Sequence, residues 1–134
     1  MSRQHDLEAL ARLSVDCGYR LHRDFGPGLL ESVYEALLAE YLQEAGLSVA
    51  RQVRVPVTYK DKVLEEAFRA DLLIEGRLLI ELKSVERISP VHAKQVLTYL
   101  RLMRLPLGLL MNFAQATFKE GLKRVANDYY GGFS

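Results

Sequence analysis

The chain has 134 residues, 49% of them hydrophobic, and a net charge of +1. This fits one domain around a single core, and the near-neutral charge excludes a highly basic nucleic-acid coat, leaving local patches for any such binding. Cys17 is the only cysteine, which excludes an intrachain disulfide and a cysteine-based metal cluster. No apolar run approaches a membrane span or the core of a signal peptide, so a soluble, cytoplasmic protein without a membrane partner is expected.

In chain order, Asp6 to about Phe25 reads as a helix, with Leu7, Leu10, Leu13 or Ser14, Cys17 and Leu21 at roughly helical spacing. Gly26-Pro27-Gly28 stops it. A second helix is expected from about Leu29 to Ala45, ended by Gly46, with Leu30, Val33, Tyr34, Leu37, Leu38, Tyr41 and Leu42 as a broad apolar face to pack on a sheet. Ser48 to Lys60 alternates as a strand does, although Arg51 interrupts its apolar side and Pro56 marks an edge or a bulge. Lys60-Asp61-Lys62 turns the chain into a second strand ending at Ile74. A third strand then completes an antiparallel meander. Ser89-Pro90 starts a helix that runs to about Arg104, with an N-cap followed by proline at the first helical position. Pro106 to Phe113 is a strand buried on both faces, parallel to a neighbour across that helix. Lys119 to Ala126 reads as a last helix, with Phe118, Leu122 and Val125 inward. The expectation is a single α/β domain over residues 1–127 and a loose C-terminal tail over 128–134.

The chemistry concentrates on the two apolar runs flanking Glu75-Gly76, which read as a β-hairpin. Asp71 lies in the first run, and Glu81 and Lys83 lie in the second. Residues two apart on a strand share a face, so Glu81 and Lys83 point together while Leu82 enters the opposite layer. Burying carboxylates and an amine together is costly unless they pair or hold a cation. Parity sharpens the expectation. A two-residue loop would set Asp71 opposite Ile80, away from Glu81, whereas a three-residue loop with Gly76 left-handed puts Asp71, Glu81 and Lys83 on one face. The odd loop is expected, because it alone assembles a site.

Two carboxylates on adjacent strands suit a hard divalent cation, which would polarise a phosphoryl oxygen and acidify a bound water, with Lys83 orienting that water or offsetting charge. The same residues also fit an ion pair on a half-exposed sheet face. Gln95 and Tyr99 share a face of the third helix, where the glutamine could orient water or touch a phosphate; an ordinary polar face is the plainer reading. Glu31, just inside the second helix, is either a helix-end charge or a further metal ligand. His5, His22 and His92 have no ligand spacing, and His22 is expected at the surface. Lys94, Arg101, Arg104, Lys119, Lys123 and Arg124 could form a local basic surface.

The order helix-Glu31, strands bearing Asp71 and Glu81-Leu82-Lys83, then helix-Gln95 resembles the PD-(D/E)XK nuclease superfamily. Gly28-Leu29-Leu30-Glu31-Ser32-Val33-Tyr34 is similar to the signature of its GxxExxY branch. The likeness continues through Phe68 to Leu73, Ile80 to Glu86, Pro90-Val91-His92, Leu107 to Phe113 and Leu122 to Val125. Ala70 stands where the name-giving motif has proline, and Glu65-Glu66 sets negative charge near the site. The resemblance implies a restriction-endonuclease-like α/β core, a central mixed sheet made of the antiparallel three-strand meander plus a further strand, flanked by helices. It implies Asp71 and Glu81 as ligands of Mg²⁺ or Mn²⁺, with Glu31 and the Leu82 carbonyl as further ligands. Lys83 would be the catalytic lysine, supported by Glu31 and Gln95. The implied function is hydrolysis of DNA phosphodiester bonds by a metal-activated water; a catalytically silent nucleic-acid-binding or protein-interaction module is the alternative. A homodimer is expected, since the chain has little surface for recognising a sequence.

Overall fold

The computed structural model describes residues 6–129. Helix α1 (Leu7–Phe25) starts at Asp6, whose carboxylate accepts the Ala9 N–H at 2.7 Å, a side-chain cap for an otherwise unpaired amide. It buries Leu7, Leu10, Cys17 and Leu21 as their spacing required. Helix α2 (Glu31–Glu44) begins two residues later than expected, because the Tyr34 hydroxyl organises the preceding turn. That hydroxyl donates to the Gly26 carbonyl at 2.5 Å and accepts the Leu29 N–H at 3.1 Å, while its ring stacks on Phe113 at 4.6 Å. The buried face of α2 is Tyr34, Glu35, Leu38, Ala39 and Leu42. Leu30 and Val33, expected inside, are exposed, because Leu30 caps the helix from outside and Val33 lies one residue round from the row set by Tyr34. Tyr34→Phe is expected to strand both backbone groups and cost about 1–3 kcal/mol, read as a lowered midpoint in thermal unfolding.

The sheet has five strands in the order β1-β2-β3-β4-β5. Strands β1 (Val49–Tyr59), β2 (Lys62–Ile74) and β3 (Leu78–Lys83) form the antiparallel meander. Helix α3 (Pro90–Met103) crosses over to β4 (Leu107–Asn112), which is buried along its whole length and parallel to β3. One more strand follows than the sequence suggested. The expected last helix is a single turn, α4 (Phe118–Gly121), and β5 (Leu122–Ala126) pairs antiparallel with β4. The turn is closed reciprocally by Thr117 and Glu120. The open edge of β4 then takes the chain as a strand, since its buried backbone groups need partners.

Helices α1 and α2 cover one face of the sheet, in a cluster including Leu10, Leu21, Tyr34, Leu38, Ile80 and Met111. Helix α3 covers the other, with Val96, Tyr99 and Leu100 against Leu79 and Leu110. The register of β1 on β2 shifts at Pro56, as a proline in an edge strand allows. Asn127, the last residue of the expected domain, donates to the Leu105 and Pro106 carbonyls; of the expected tail, the Tyr129 hydroxyl donates to Glu8, and residues 130–134 lie outside the described residues.

Candidate active site

Ile74 pairs with Leu78 and Leu72 with Ile80, so the hairpin loop is Glu75-Gly76-Arg77. This is the odd loop that parity demanded. Both Glu75 (φ 54°) and Gly76 (φ 66°) are left-handed, and the Arg77 N–H closes the turn on the Ile74 carbonyl at 2.9 Å. The Glu75 carboxylate also accepts the Ser48 N–H at 2.6 Å, tying the tip to the start of β1. One step beyond the Leu72–Ile80 pair, this register sets Asp71 opposite Glu81, with Lys83 two residues on along the same face.

At this point β2 and β3 part, and the two carboxylates bridge the gap. The Asp71 N–H donates to Glu81 Oε2 at 2.6 Å, and the Leu82 N–H donates to Asp71 Oδ2 at 2.9 Å. Glu81 is only 4% exposed. Burial, followed by the Asp71 charge, pushes its carboxyl up to about 8, against the opposing pull of the Asp71 amide and Lys83. Asp71 is raised too, by burial first and then by Glu35 and Glu31, with the Leu82 amide and Lys83 opposing. Burial and the charges of Glu81 and Asp71 raise the Tyr99 phenol as well. Ionising both carboxylates would gather more negative charge here than Lys83 offsets, which, added to burial, is why they hold their protons.

Two contributors lay outside the sequence reading. Glu35, one turn after Glu31 on α2, is buried and accepts from Arg51 Nε at 3.1 Å and Gln52 Nε2 at 2.6 Å. Gln52 Nε2 also lies 3.3 Å from Asp71 Oδ1, and its backbone is left-handed (φ 50°). The legible sign was Arg51, a charge on the apolar side of an alternating strand, for which Glu35 is the partner. Glu31 is exposed at the first position of α2, near enough for its charge to raise both Asp71 and Glu81. Gln95 is exposed on α3 and makes no hydrogen bond to the carboxylates among the described residues.

The end of β3 is held from beneath. Asn112, fully buried, accepts the Val85 N–H at 3.0 Å and donates to the Val85 carbonyl at 2.8 Å, and the Phe113 N–H bonds the Lys83 carbonyl at 2.9 Å. The Ser84 hydroxyl donates to the Leu29 carbonyl at 3.0 Å, which joins the strand end to the turn before Glu31. His22 is not at the surface. It is buried, with Nε2 2.9 Å from the Gln115 carbonyl, because its ring packs beside Phe113 and Phe118.

No group of three or more His, Cys, Asp or Glu side chains among the described residues is arranged to hold a metal ion. The Asp71–Glu81 pair nonetheless fits a hard cation that keeps much of its water, because Mg²⁺ is commonly held by one or two carboxylates. Its donors are all oxygens, and both carboxyls are raised in a way that added positive charge would relieve. A family model described as the PD-(D/E)XK nuclease superfamily matches residues 8–125. The chain belongs to that superfamily. The mixed sheet flanked by helices is consistent with its restriction-endonuclease-like fold. No curated protein and no solved structure matches the chain. No helix among the described residues is long and apolar enough to cross a membrane.

Proposed function

We propose that this PD-(D/E)XK protein, of the GxxExxY branch, is a divalent-metal-dependent nuclease that hydrolyses DNA phosphodiester bonds. The observation that carries the reading is the juxtaposition of Asp71 and Glu81 at the parting of β2 and β3, both raised by burial and by neighbouring negative charge. Asp71, Glu81 and the Leu82 carbonyl would hold Mg²⁺ or Mn²⁺, with Glu31 closing the site from α2. The cation supplies Lewis-acid polarisation of the phosphate and a more acidic water. Lys83 sets its ammonium beside the carboxylates and offsets charge gathering on the phosphoryl oxygens. Glu31 holds the attacking water by a hydrogen bond, and Gln95 orients the phosphate backbone from α3. Water adds to phosphorus as the bond to the leaving oxygen breaks, giving one phosphate end and one hydroxyl end.

A second reading rests on the hydrogen bonds themselves. Each carboxylate caps a backbone amide where the strands separate, so the pair would brace the fork of a binding module without turnover. The test is cleavage of labelled single- and double-stranded DNA with Mg²⁺ or Mn²⁺, beside calorimetric metal binding. Lys83→Ala is expected to lower cleavage by about 10²-fold or more with metal binding retained, and Asp71→Ala to lose both. Metal-free wild-type protein that cuts equally well, or cutting unchanged in both variants, would overturn the nuclease assignment.

A further inference from the structure

The meander is lopsided. Strand β3 ends its pairing with β2 at Leu72–Ile80, yet β1 and β2 continue paired from Val53–Ala70 out to Tyr59–Lys62. Beyond Asp71 the chain therefore forms a two-stranded arm that no third strand covers. Such a ribbon is marginal in water by itself. Its root is supported on α3, where Phe68 lies 5.3 Å from Tyr99 and Val55 is buried with Val96. Its end has no such support: Tyr59 is 63% exposed, Val63 50% and Leu64 57%.

The register sorts the residues of the outer arm. Val57 pairs with Leu64 and Tyr59 with Lys62, so Val57, Tyr59, Lys62 and Leu64 share one face. The Lys60 ammonium lies 5.4 Å from the centre of the Tyr59 ring on the intervening turn. The outer arm thus presents an exposed aromatic ring beside two lysines. From Val53 to Ala70 the arm carries Arg54, Lys60, Lys62 and Arg69 against Asp61, Glu65 and Glu66, and at its outer end Lys60 and Lys62 flank the single acid Asp61.

We infer that this arm holds substrate: Tyr59 stacks an unpaired base of a single nucleic-acid strand while Lys60 and Lys62 take its phosphates. Stacking on an exposed ring flanked by cations is how single strands are held without reading their sequence, and the positive excess complements a polyanion. The inference rests on the nuclease reading for its second half, that the same strand runs from the arm to the carboxylates. Lys62 is nine residues from Asp71, at most about 30 Å along a strand.

The experiment is fluorescence anisotropy of labelled single-stranded DNA, RNA and duplex in EDTA, at several salt concentrations and with strands of 6 and about 20 nucleotides. Wild type is compared with Tyr59→Ala and with Lys60→Glu/Lys62→Glu. These side chains are exposed, so the variants are expected to keep the wild-type melting temperature. Tyr59→Ala is expected to weaken binding of the long strand about tenfold. The double variant should also flatten the salt dependence by about 1.4 in slope. The short strand, long enough to occupy the arm alone, should weaken in the same variants. The DNA and RNA strands distinguish the two sources of the same chemistry. Arm-dependent binding without cleavage supports the arm and sinks the nuclease reading. Cleavage with KM for the long strand unchanged in both variants does the reverse, and neither binding nor cleavage overturns both. A wild-type dimer that the arm variants split, seen by sedimentation, would reassign the face to a second copy and overturn the proposal.

Discussion

Unfolding followed without divalent cations is expected to show wild-type stability falling as pH rises from about 4.5 to about 8. Glu81 is responsible: its carboxyl moves from the ordinary 4.5 up to about 8 in the folded protein through burial and the Asp71 charge. Between those values the folded state keeps a proton that the unfolded chain has released. The stabilisation is full below 4.5 and is lost as pH climbs through the window, at up to about 1.4 kcal/mol per pH unit. The total is on the order of 3–5 kcal/mol, with Asp71 shifted in the same direction. Glu81→Gln keeps an oxygen for the Asp71 amide and removes the charge. The variant should therefore lose most of this slope, keeping only the part that Asp71 contributes, and exceed wild type in stability at pH 8. Added Mg²⁺ should restore wild type at pH 8 and leave the variant unmoved. Denaturant titrations at pH 5, 6.5 and 8, each with and without Mg²⁺, read all of this directly. A wild-type stability that stays level across the window would mean that the carboxylates are solvated and the fork is not the buried site described above.

Gly121→Ala is expected to be the most disruptive small substitution in the protein. An added methyl carbon at Gly121 would lie 1.9 Å from the Asn112 carbonyl oxygen and 2.9 Å from its carbon. Both are backbone atoms of the fully buried β4, so no side chain can rotate to make room. Relief requires α4 to move off the sheet, with a cost of about 3 kcal/mol or more. The damage should also reach the candidate site, because Asn112 pins Val85 and pairs beside Lys83. Gly18→Ala is the informative comparison. Its methyl would meet the tip of the Phe118 ring at 2.6 Å, a side chain able to shift, so a smaller loss is expected. Thermal unfolding of the two variants side by side tests the difference; equal losses would show that α4 yields readily.

Local chemistry was enough for a good part of this molecule. The capped starts of α1 and α3, the doubly buried β4 and the three-residue hairpin loop follow from interactions within a few residues, or from the two-residue period of a strand. That period is strict. Placing Asp71, Glu81 and Lys83 on one face admits only an odd loop, and the pairing of Ile74 with Leu78 has that form.

Other features depended on which surfaces meet. Leu122–Ala126 has too few residues to separate a helical from an extended period, and the free edge of β4 decided for a strand. Leu30 and Val33 satisfy the apolar pattern of α2 yet stay exposed, because periodicity marks a stripe without saying how far the neighbouring sheet extends. His22 is buried against Phe113 and Phe118, both remote along the chain. Glu35 and Gln52 reach Asp71 only because α2 and β1 are brought together beside β2. The sequence by itself determined the elements up to β4 and the shared face of Glu81 and Lys83, through short-range stereochemistry, and it placed Asp71 with them on the condition that the loop is odd. The tertiary structure decided how deeply those charges are buried and which carboxylates surround them, since desolvation and Coulomb repulsion depend on distances between segments that are remote along the chain.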